Sequence, residues 1–148
     1  ESVAPNVGDA APASQSRTYS EGTELSQITS DPRPDPGLYQ ITIEEAIASG
    51  LPTVISFSTP AFCTSRTCGP ALEVLKAASD RFAAGAHFIH VEIYQDFSTQ
   101  TVDPVVLEWR LPSEPWTYVV DAEGLISARF EGLVGLSELE AAIREVLA

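Results

Sequence analysis

An apolar run at residues 53–58, TVISFS, restricts the fold more than any other part of the sequence. So short and nearly continuous an apolar run is typical of a strand that is covered on both faces. Further strand patterns occupy residues 87–94, 116–121 and 125–130, and helical patterns alternate with the earlier strands. This alternation predicts parallel pairing through right-handed crossovers, whereas the last two strands flank a turn at Gly124 and should form an antiparallel hairpin. We therefore predict an α/β domain with a mixed central sheet flanked by helices on both faces.

Start and stop signals place the helices around these strands. The first helix is predicted to begin at the capping box TIEE, residues 42–45. The second is predicted to begin at Pro70, because the N–H that proline lacks has no intrahelical partner at the first position of a helix. Asp103 should open a short third helix, and a second capping box, SELE at residues 137–140, should open the last one.

The first 38 residues have a different composition from the rest of the chain. They are rich in Pro, Ser, Asp and Gly, and few apolar residues recur with any period. We therefore predict an extended arm or linker at residues 1–38 and a single domain at residues 39–148. Because the chain contains no methionine, we expect that a segment before Glu1 has been removed, either by trimming or as a signal peptide or lipid anchor.

The charge and hydropathy of the chain exclude some functions. The net charge is −13, from 21 acidic and 8 basic residues, so the chain has little with which to neutralise a phosphate backbone. No apolar run approaches the ~18 residues of a membrane span. With 44% hydrophobic and 20% charged residues, the sequence is typical of a globular domain, and we expect no nucleic-acid partner.

The two cysteines, Cys63 and Cys68, lie after the first strand with four residues between them. In one continuous helix, residues five apart would lie about 8 Å from each other, beyond the ~7 Å limit for a disulfide. A helix that starts at Pro70 leaves both cysteines in a turn, where they can meet. The start of a helix favours a nearby thiolate, and Arg66 adds a positive charge. The spacing leaves open a working dithiol, a metal clip and a structural staple.

The order of elements, with a cysteine pair after the first core strand, resembles the thioredoxin superfamily over roughly residues 40–148. The segment SFSTPAFC resembles the thioredoxin segment that leads from a strand to an aromatic residue and a cysteine. LPSEPWTYVVDAEG is similar to the later segment with a cis-proline before a strand, and FEGLVGLSELEAAI is similar to the last strand end and closing helix. In the arm, VGDAAPAS is similar to the opening of membrane-anchored thioredoxin-like and peroxiredoxin proteins.

This resemblance implies a thiol-disulfide oxidoreductase that acts on protein or small disulfides. Cys63 would be the attacking thiol and Cys68 the resolving thiol. Pro115 would be the cis-proline, and with Glu114 and Phe62 it would line the substrate groove. The implied partners are a protein that carries a disulfide or dithiol and a separate redox partner, with no cofactor and no metal. The implied location is extracytoplasmic, either secreted or in the cell envelope, with a membrane tether if the missing segment was an anchor.

Several residues depart from the thioredoxin pattern. Thioredoxins have two residues between the cysteines, and the tryptophan that usually precedes the first cysteine is Phe62 here. Ser56 stands where thioredoxins have a buried aspartate, and Glu114 stands where they have a small or apolar residue. These changes predict a different substrate surface. They also support a second hypothesis, a non-catalytic interaction domain that the disulfide only staples.

Two further chemistries share this fold. Sco-type copper chaperones use two cysteines and a distant histidine, and the chain has two histidines, His87 and His90. Three apart on a strand, they face opposite sides, so one of them alone could join the cysteines. Peroxiredoxins place a threonine three residues before the reactive cysteine, and Ser65 has that position relative to Cys68.

Overall fold

The computed structural model describes residues 4–20, 22–63 and 66–147. The α-helices are α1 (Ile43–Ala48), α2 (Cys68–Phe82), α3 (Pro104–Glu108) and α4 (Leu136–Val146). The strands are β1 (Thr53–Ser58), β2 (His87–Glu92), β3 (Tyr94–Asp96), β4 (Thr101–Val102), β5 (Trp116–Val120) and β6 (Ile126–Glu131). Two short 3-10 helices, Leu25–Gln27 and Pro36–Tyr39, precede α1. Within these described ranges, none of the helices has the length and apolar character needed to cross a membrane.

The main sheet has four strands in the order β2–β1–β5–β6. β1 pairs parallel to β2 and antiparallel to β5, and β5 pairs antiparallel to β6. The turn of the last hairpin contains Gly124 with φ +83°, a left-handed conformation that glycine adopts without a steric penalty. The predicted mixed sheet is therefore confirmed, including its antiparallel hairpin.

Alternate residues of β1 enter two separate hydrophobic cores. Ile55 and Phe57 pack with residues of α1 and α3, in what we call the α1/α3 core. Val54 packs with residues of α2 and α4, in the α2/α4 core. All six residues of β1 are buried, because side chains alternate between two faces that are both covered. Helices therefore flank the sheet on both faces, as predicted.

The sequence predicted the start of α1 correctly and the start of α2 wrongly. In the capping box of α1, the Thr42 hydroxyl accepts a hydrogen bond from the Glu45 N–H at 3.0 Å. α2 begins at Cys68, two residues before the predicted start, and Pro70 is its third residue. Proline is tolerated at this position because the first N–H groups of a helix have no intrahelical acceptor. Cys68 therefore belongs to the helix and not to the turn before it.

The capping box predicted for α4 is absent. The helix begins at Leu136 after Gly135, whose extended backbone forms the N-cap, so Ser137 lies inside the first turn. Glu140, which was expected to complete the box, instead pairs with Arg81 of α2 at 3.0 Å. This ion pair between α2 and α4 explains why the side chain does not fold back onto its own helix end.

The strand predicted at residues 87–94 is shorter in the structure. β2 ends at Glu92, and the chain continues into β3, which pairs with β4 in a separate two-stranded sheet. As predicted, Asp103 opens α3, and its carboxyl group accepts a hydrogen bond from the Val105 N–H at 2.9 Å.

The N-terminal segment, residues 4–38, packs against both cores. Ala4 and Ala11 belong to the α1/α3 core, and Ile28 and Leu38 belong to the α2/α4 core. These side chains are buried although the segment contains little regular secondary structure. The boundary between arm and domain at residue 38 stays a prediction.

Polar contacts also join this segment to the helices. The Ser14 hydroxyl accepts a hydrogen bond of 3.1 Å from the indole N–H of Trp109, and both residues are buried. Arg17 pairs with Asp103 at 3.2 Å. Burial raises the pKa of Asp103, although the nearby Arg17 favours the charged form.

Candidate active site at the cysteine loop

The cysteine loop, residues 59–67, connects the carboxyl end of β1 to α2. It starts with a turn in which the Phe62 N–H donates to the carbonyl group of Thr59 at 3.1 Å. Before the helix, Arg66 has a left-handed backbone with φ +63°, and Thr67 is the N-cap. The loop thus carries the chain from the edge of the sheet directly to the N-terminus of α2.

Cys63 and Cys68 form a disulfide, with 5.9 Å between their Cα atoms. Cys68 is fully buried, whereas Cys63 is half-buried. Because Cys68 is the first residue of α2, the positive end of the helix dipole lies at the disulfide. The structure therefore joins the two cysteines that the sequence identified, and Cys63 is the more accessible of them.

Phe62 belongs to an aromatic cluster beside the disulfide. Its ring centroid lies 6.1 Å from that of Tyr94 in an edge-to-face arrangement and 5.7 Å from that of Phe97. All three side chains are half-buried. Phe62 and Phe97 also line an open cavity of about 410 Å³, together with Pro32 and Pro34 of the arm. The residue next to Cys63 thus presents partly exposed apolar surface.

Glu114 and Pro115 lie at the start of β5. The peptide bond between them is cis, and the buried Pro115 accepts a hydrogen bond from the Gly132 N–H at 2.8 Å. The following residue, Trp116, pairs with Phe57 near the end of β1. This register places Glu114 and Pro115 at the edge of the sheet from which the cysteine loop leaves.

A buried polar network lies beside the carboxyl end of β1. Nε2 of His90 lies 3.0 Å from the carbonyl oxygen of Ser58, and Nδ1 lies 2.7 Å from the hydroxyl of Tyr39. A carbonyl oxygen can only accept, so Nε2 carries the proton and Nδ1 accepts from the tyrosine. Burial lowers the pKa of His90, although the neighbouring Glu92 opposes this shift. The lowered pKa favours the neutral histidine, in the tautomer that has its proton on Nε2.

The arm contacts both this network and the cysteine loop through Ser30. The Ser30 N–H donates a hydrogen bond of 2.7 Å to Oε1 of Glu92, a side chain that is only 2% exposed. The Ser30 hydroxyl accepts a hydrogen bond of 3.1 Å from the N–H of Ala61, two residues before Cys63. One arm residue therefore joins the end of β2 to the cysteine loop.

Asp31 connects the arm to α2. Its Oδ2 atom lies 2.7 Å from Nζ of Lys76, and the side chains are 6% and 17% exposed. Burial disfavours the charged form of Lys76, but hydrogen bonds with Asp31 and Glu73 outweigh it and raise its pKa. Asp31 and Lys76 also line a cavity of about 450 Å³ with Pro60 and Gly69, on either side of the disulfide-bonded turn.

Ser56 is fully buried in the middle of β1, at the position where the resemblance implies an acid. Its hydroxyl has no hydrogen-bond partner among the residues that the structure describes, and the same holds for the hydroxyl groups of Thr53, Ser58 and Thr59. The strand below the cysteine loop therefore carries hydroxyl groups and no titratable side chain.

The two histidines lie in different surroundings. Both ring nitrogens of His90 already have protein partners, and Nε2 of His87 lies 3.0 Å from the hydroxyl of Ser49. In residues 4–20, 22–63 and 66–147, no group of three or more His, Cys, Asp and Glu side chains could hold a metal ion. Ser65, the residue named for a peroxidase, lies outside the described residues.

Sequence reasoning identified the cysteines and named His90, but it did not predict the buried hydrogen bonds of His90 with Tyr39 and Ser58. His90 and Glu92 alternate in an otherwise apolar strand, and polar side chains on a buried face need partners. That alternation was the available signal for the network on β2. No local pattern marks Ser30 or Asp31, because their partners lie far away in the sequence.

Comparisons with known proteins find solved structures of similar fold. No family model and no curated protein matches the chain. A proposed thiol:disulfide interchange protein DsbE from Chlorobium tepidum has 15% identity and a TM-score of 0.64, over 97% of this chain and 99% of that chain. A thioredoxin family thiol:disulfide interchange protein from Chlorobium tepidum TLS has 15% identity and a TM-score of 0.56, over 68% and 84%. A thio-disulfide isomerase from Thermus thermophilus has 20% identity and a TM-score of 0.52, over 66% and 80%.

Identities of 15% to 20% establish a shared fold and nothing finer. The shared fold agrees with the mixed four-stranded sheet and its flanking helices. The chain therefore has a thioredoxin-like fold, with a C-x4-C disulfide where its central strand meets the next helix.

Proposed function

We propose that the protein is a thiol-disulfide oxidoreductase that acts through Cys63 and Cys68. The observation that carries the proposal is the disulfide, with one half-buried cysteine and one buried cysteine at the first residue of α2. The similar structures include thiol:disulfide interchange proteins, which supports the same class of chemistry.

The reaction proceeds by two exchanges. The Cys63 thiolate attacks one sulfur of a substrate disulfide, forms a mixed disulfide and releases the other substrate sulfur as a thiolate. The Cys68 thiolate then attacks the sulfur of Cys63, closes the intramolecular disulfide and releases the second substrate thiolate. Two electrons pass to the substrate, whose thiolates take up protons from water. The reverse sequence oxidises a dithiol.

Accessibility supports Cys63 as the attacking thiol. Nucleophilic attack on an external disulfide requires an accessible thiolate, and Cys68 is fully buried. The helix N-terminus at Cys68 favours negative charge at the pair, and the exposed Arg66 adds a positive charge to the same loop.

The proposed substrate groove is lined by Phe62, Glu114 and Pro115. Phe62 offers apolar surface next to Cys63, and the register of β5 brings the other two residues to the same sheet edge. The substrate would be a protein or small disulfide, and a separate redox partner would return the pair to its starting state. We also propose an extracytoplasmic location, because a disulfide-bonded pair persists in oxidising compartments.

Trapping of a mixed disulfide tests this function. Cys68→Ser should accumulate a covalent adduct with a disulfide-bonded protein such as insulin, because the adduct cannot be resolved, and Cys63→Ser should not. The wild-type protein should also accelerate the reduction of insulin by dithiothreitol. The opposite trapping pattern would assign the attack to Cys68.

The second candidate function is a non-catalytic interaction domain with a structural disulfide. Ser56 favours it, because a serine at this buried position cannot exchange a proton with Cys68 as an acid would. For this alternative, neither cysteine variant would form an adduct, and the wild-type protein would leave the rate of insulin reduction unchanged.

A further inference from the structure

Ser30 holds the backbone of the cysteine loop in place. Its hydroxyl accepts the hydrogen bond from Ala61, in the part of the loop between the end of β1 and Cys63. This part has left the sheet and has not yet reached α2, so it lacks the regular hydrogen bonds of either element. The neighbouring turn from Phe62 to Thr59 is local and does not tie the loop to another part of the chain.

Buried groups hold Ser30 itself on both sides. Its N–H donates to Glu92, which is buried on β2. The residue before it, Thr29, is buried, and its Oγ1 accepts a hydrogen bond from the N–H of Asp31 at 3.0 Å. Asp31 in turn pairs with Lys76 on α2. The segment is thus anchored to β2 and to the helix that carries Cys68.

We propose that Ser30 is a positioning residue that stabilises the disulfide-bonded arrangement of the cysteine loop, so that the N-terminal arm sets the thiol-disulfide equilibrium of Cys63 and Cys68. The physical reason is that the Ala61 hydrogen bond exists in the disulfide-bonded loop. On this proposal, reduction breaks the S–S bond and lets the loop leave that closed geometry, where it would make the Ala61 hydrogen bond less well, so the bond favours the oxidised form. This role deepens the proposed function, since it concerns the same cysteine pair.

The experiment measures the equilibrium of this pair with glutathione. The disulfide and two glutathione molecules form two cysteine thiols and one glutathione disulfide, and acid quenching with alkylation gives the ratio of the two protein forms. The measurement needs no catalytic activity. A protein that is inactive in the insulin assay can therefore still be tested for the role of Ser30. A Ser30 variant with an unchanged equilibrium would in turn say nothing against oxidoreductase activity.

Ser30→Ala should shift this equilibrium toward the dithiol by about three- to tenfold, the effect expected for one lost hydrogen bond. Ser30→Thr retains the hydroxyl group and should restore the equilibrium to about that of the wild-type protein. The matched control is Ser16→Ala. Ser16 is also an arm residue whose hydroxyl accepts a backbone N–H, from Ile43 at 3.0 Å, but it lies at α1.

An equilibrium unchanged in Ser30→Ala would overturn the proposal. Equal shifts in Ser30→Ala and Ser16→Ala would also overturn it, because they would show a general loosening of the arm. Circular dichroism first checks that each variant is folded. If Ser30→Ala is not, Asp31→Asn provides the test, since it weakens the anchor to Lys76 and should shift the equilibrium in the same direction.

Discussion

The hydroxyl of Tyr39 donates a hydrogen bond of 2.7 Å to Nδ1 of His90, in a site that is closed to solvent. Tyr39 lies at the end of the second 3-10 helix and His90 lies on β2, so the bond joins the N-terminal segment to the sheet. Nε2 of the same ring faces the carbonyl group of Ser58. Protonation of His90 would put an N–H group on both ring nitrogens, so Nδ1 could no longer accept the hydrogen bond from the Tyr39 hydroxyl.

The first prediction is a loss of stability in mild acid. Burial holds the pKa of His90 below that of an unfolded histidine, which is about 6.5. Between the folded and unfolded pKa values the unfolded state binds more protons, so the free energy of unfolding increases with pH in this window. It should therefore decrease as the pH falls below about 6.5. Urea unfolding at several pH values, above the range of ordinary carboxyl groups, measures this slope.

The control for this slope is His87→Gln. Burial also lowers the pKa of His87, which is less buried than His90 and hydrogen-bonds to Ser49. The variant should retain most of the pH dependence. A flat profile in His87→Gln would assign the effect to His87 instead of His90.

The second prediction concerns the tyrosine. Tyr39→Phe removes the donor to His90 and leaves a buried ring nitrogen with only Thr29, at 3.5 Å, as a neighbouring hydroxyl. The free energy of unfolding should decrease by about 1–3 kcal/mol, as expected for an unsatisfied buried polar group. Tyr19→Phe is the matched control, because Tyr19 is 40% exposed. Equal effects of the two substitutions in urea unfolding would contradict the role of the hydrogen bond.

The third prediction uses the left-handed residue in the cysteine loop. Arg66 has φ +63°, where a side chain is unfavourable, so Arg66→Gly should increase the stability of the oxidised protein by about 0.5–1 kcal/mol. Glu123→Gly should instead decrease it, because Glu123 is an exposed turn residue whose φ is not positive. Thermal and urea unfolding compare the two variants. A loss of stability in Arg66→Gly would show that the arginine side chain contributes more than the strain costs.

The fourth prediction tests the groove. Phe62→Ala removes apolar surface next to Cys63, so the KM for a protein disulfide should increase several-fold. An increase of this order corresponds to losing the favourable transfer free energy of a partly buried ring. The kcat should change less, since the cysteines stay in place. Phe82→Ala is the control, because Phe82 is a half-buried aromatic residue in the last turn of α2. The same KM in wild type and Phe62→Ala would remove Phe62 from the groove.

Local patterns predicted the framework of the fold well. The bounds of β1 follow from its apolar run, and the capping box at Thr42 correctly marks α1. The starts of α2 and α4 were missed because proline and serine are both tolerated within the first turn, so their presence does not identify the first residue. The separate sheet of β3 and β4 was missed because two such short strands have no clear period.

The candidate site was predictable only where it is local in sequence. Cys63 and Cys68 are five residues apart, and their pairing follows from the loop and the resemblance. Ser30 forms hydrogen bonds with Ala61, 31 residues away in the sequence, and with Glu92, 62 residues away. Such contacts depend on the path of the arm across the fold, and the periodicity of the sequence does not predict that path.

The arm also determines how the molecule would respond to mechanical force. A pull on the N-terminal end would first load the hydrogen bonds that join Gly8 and Ala11 to the β5–β6 hairpin. It would then load the contact of Ser14 with Trp109 and the ion pair of Arg17 with Asp103, at the two ends of α3. Only after these had separated would tension reach Ser30 and the cysteine loop. The contacts are arranged in series along the chain, so those nearer the N-terminal end shield the disulfide from small forces.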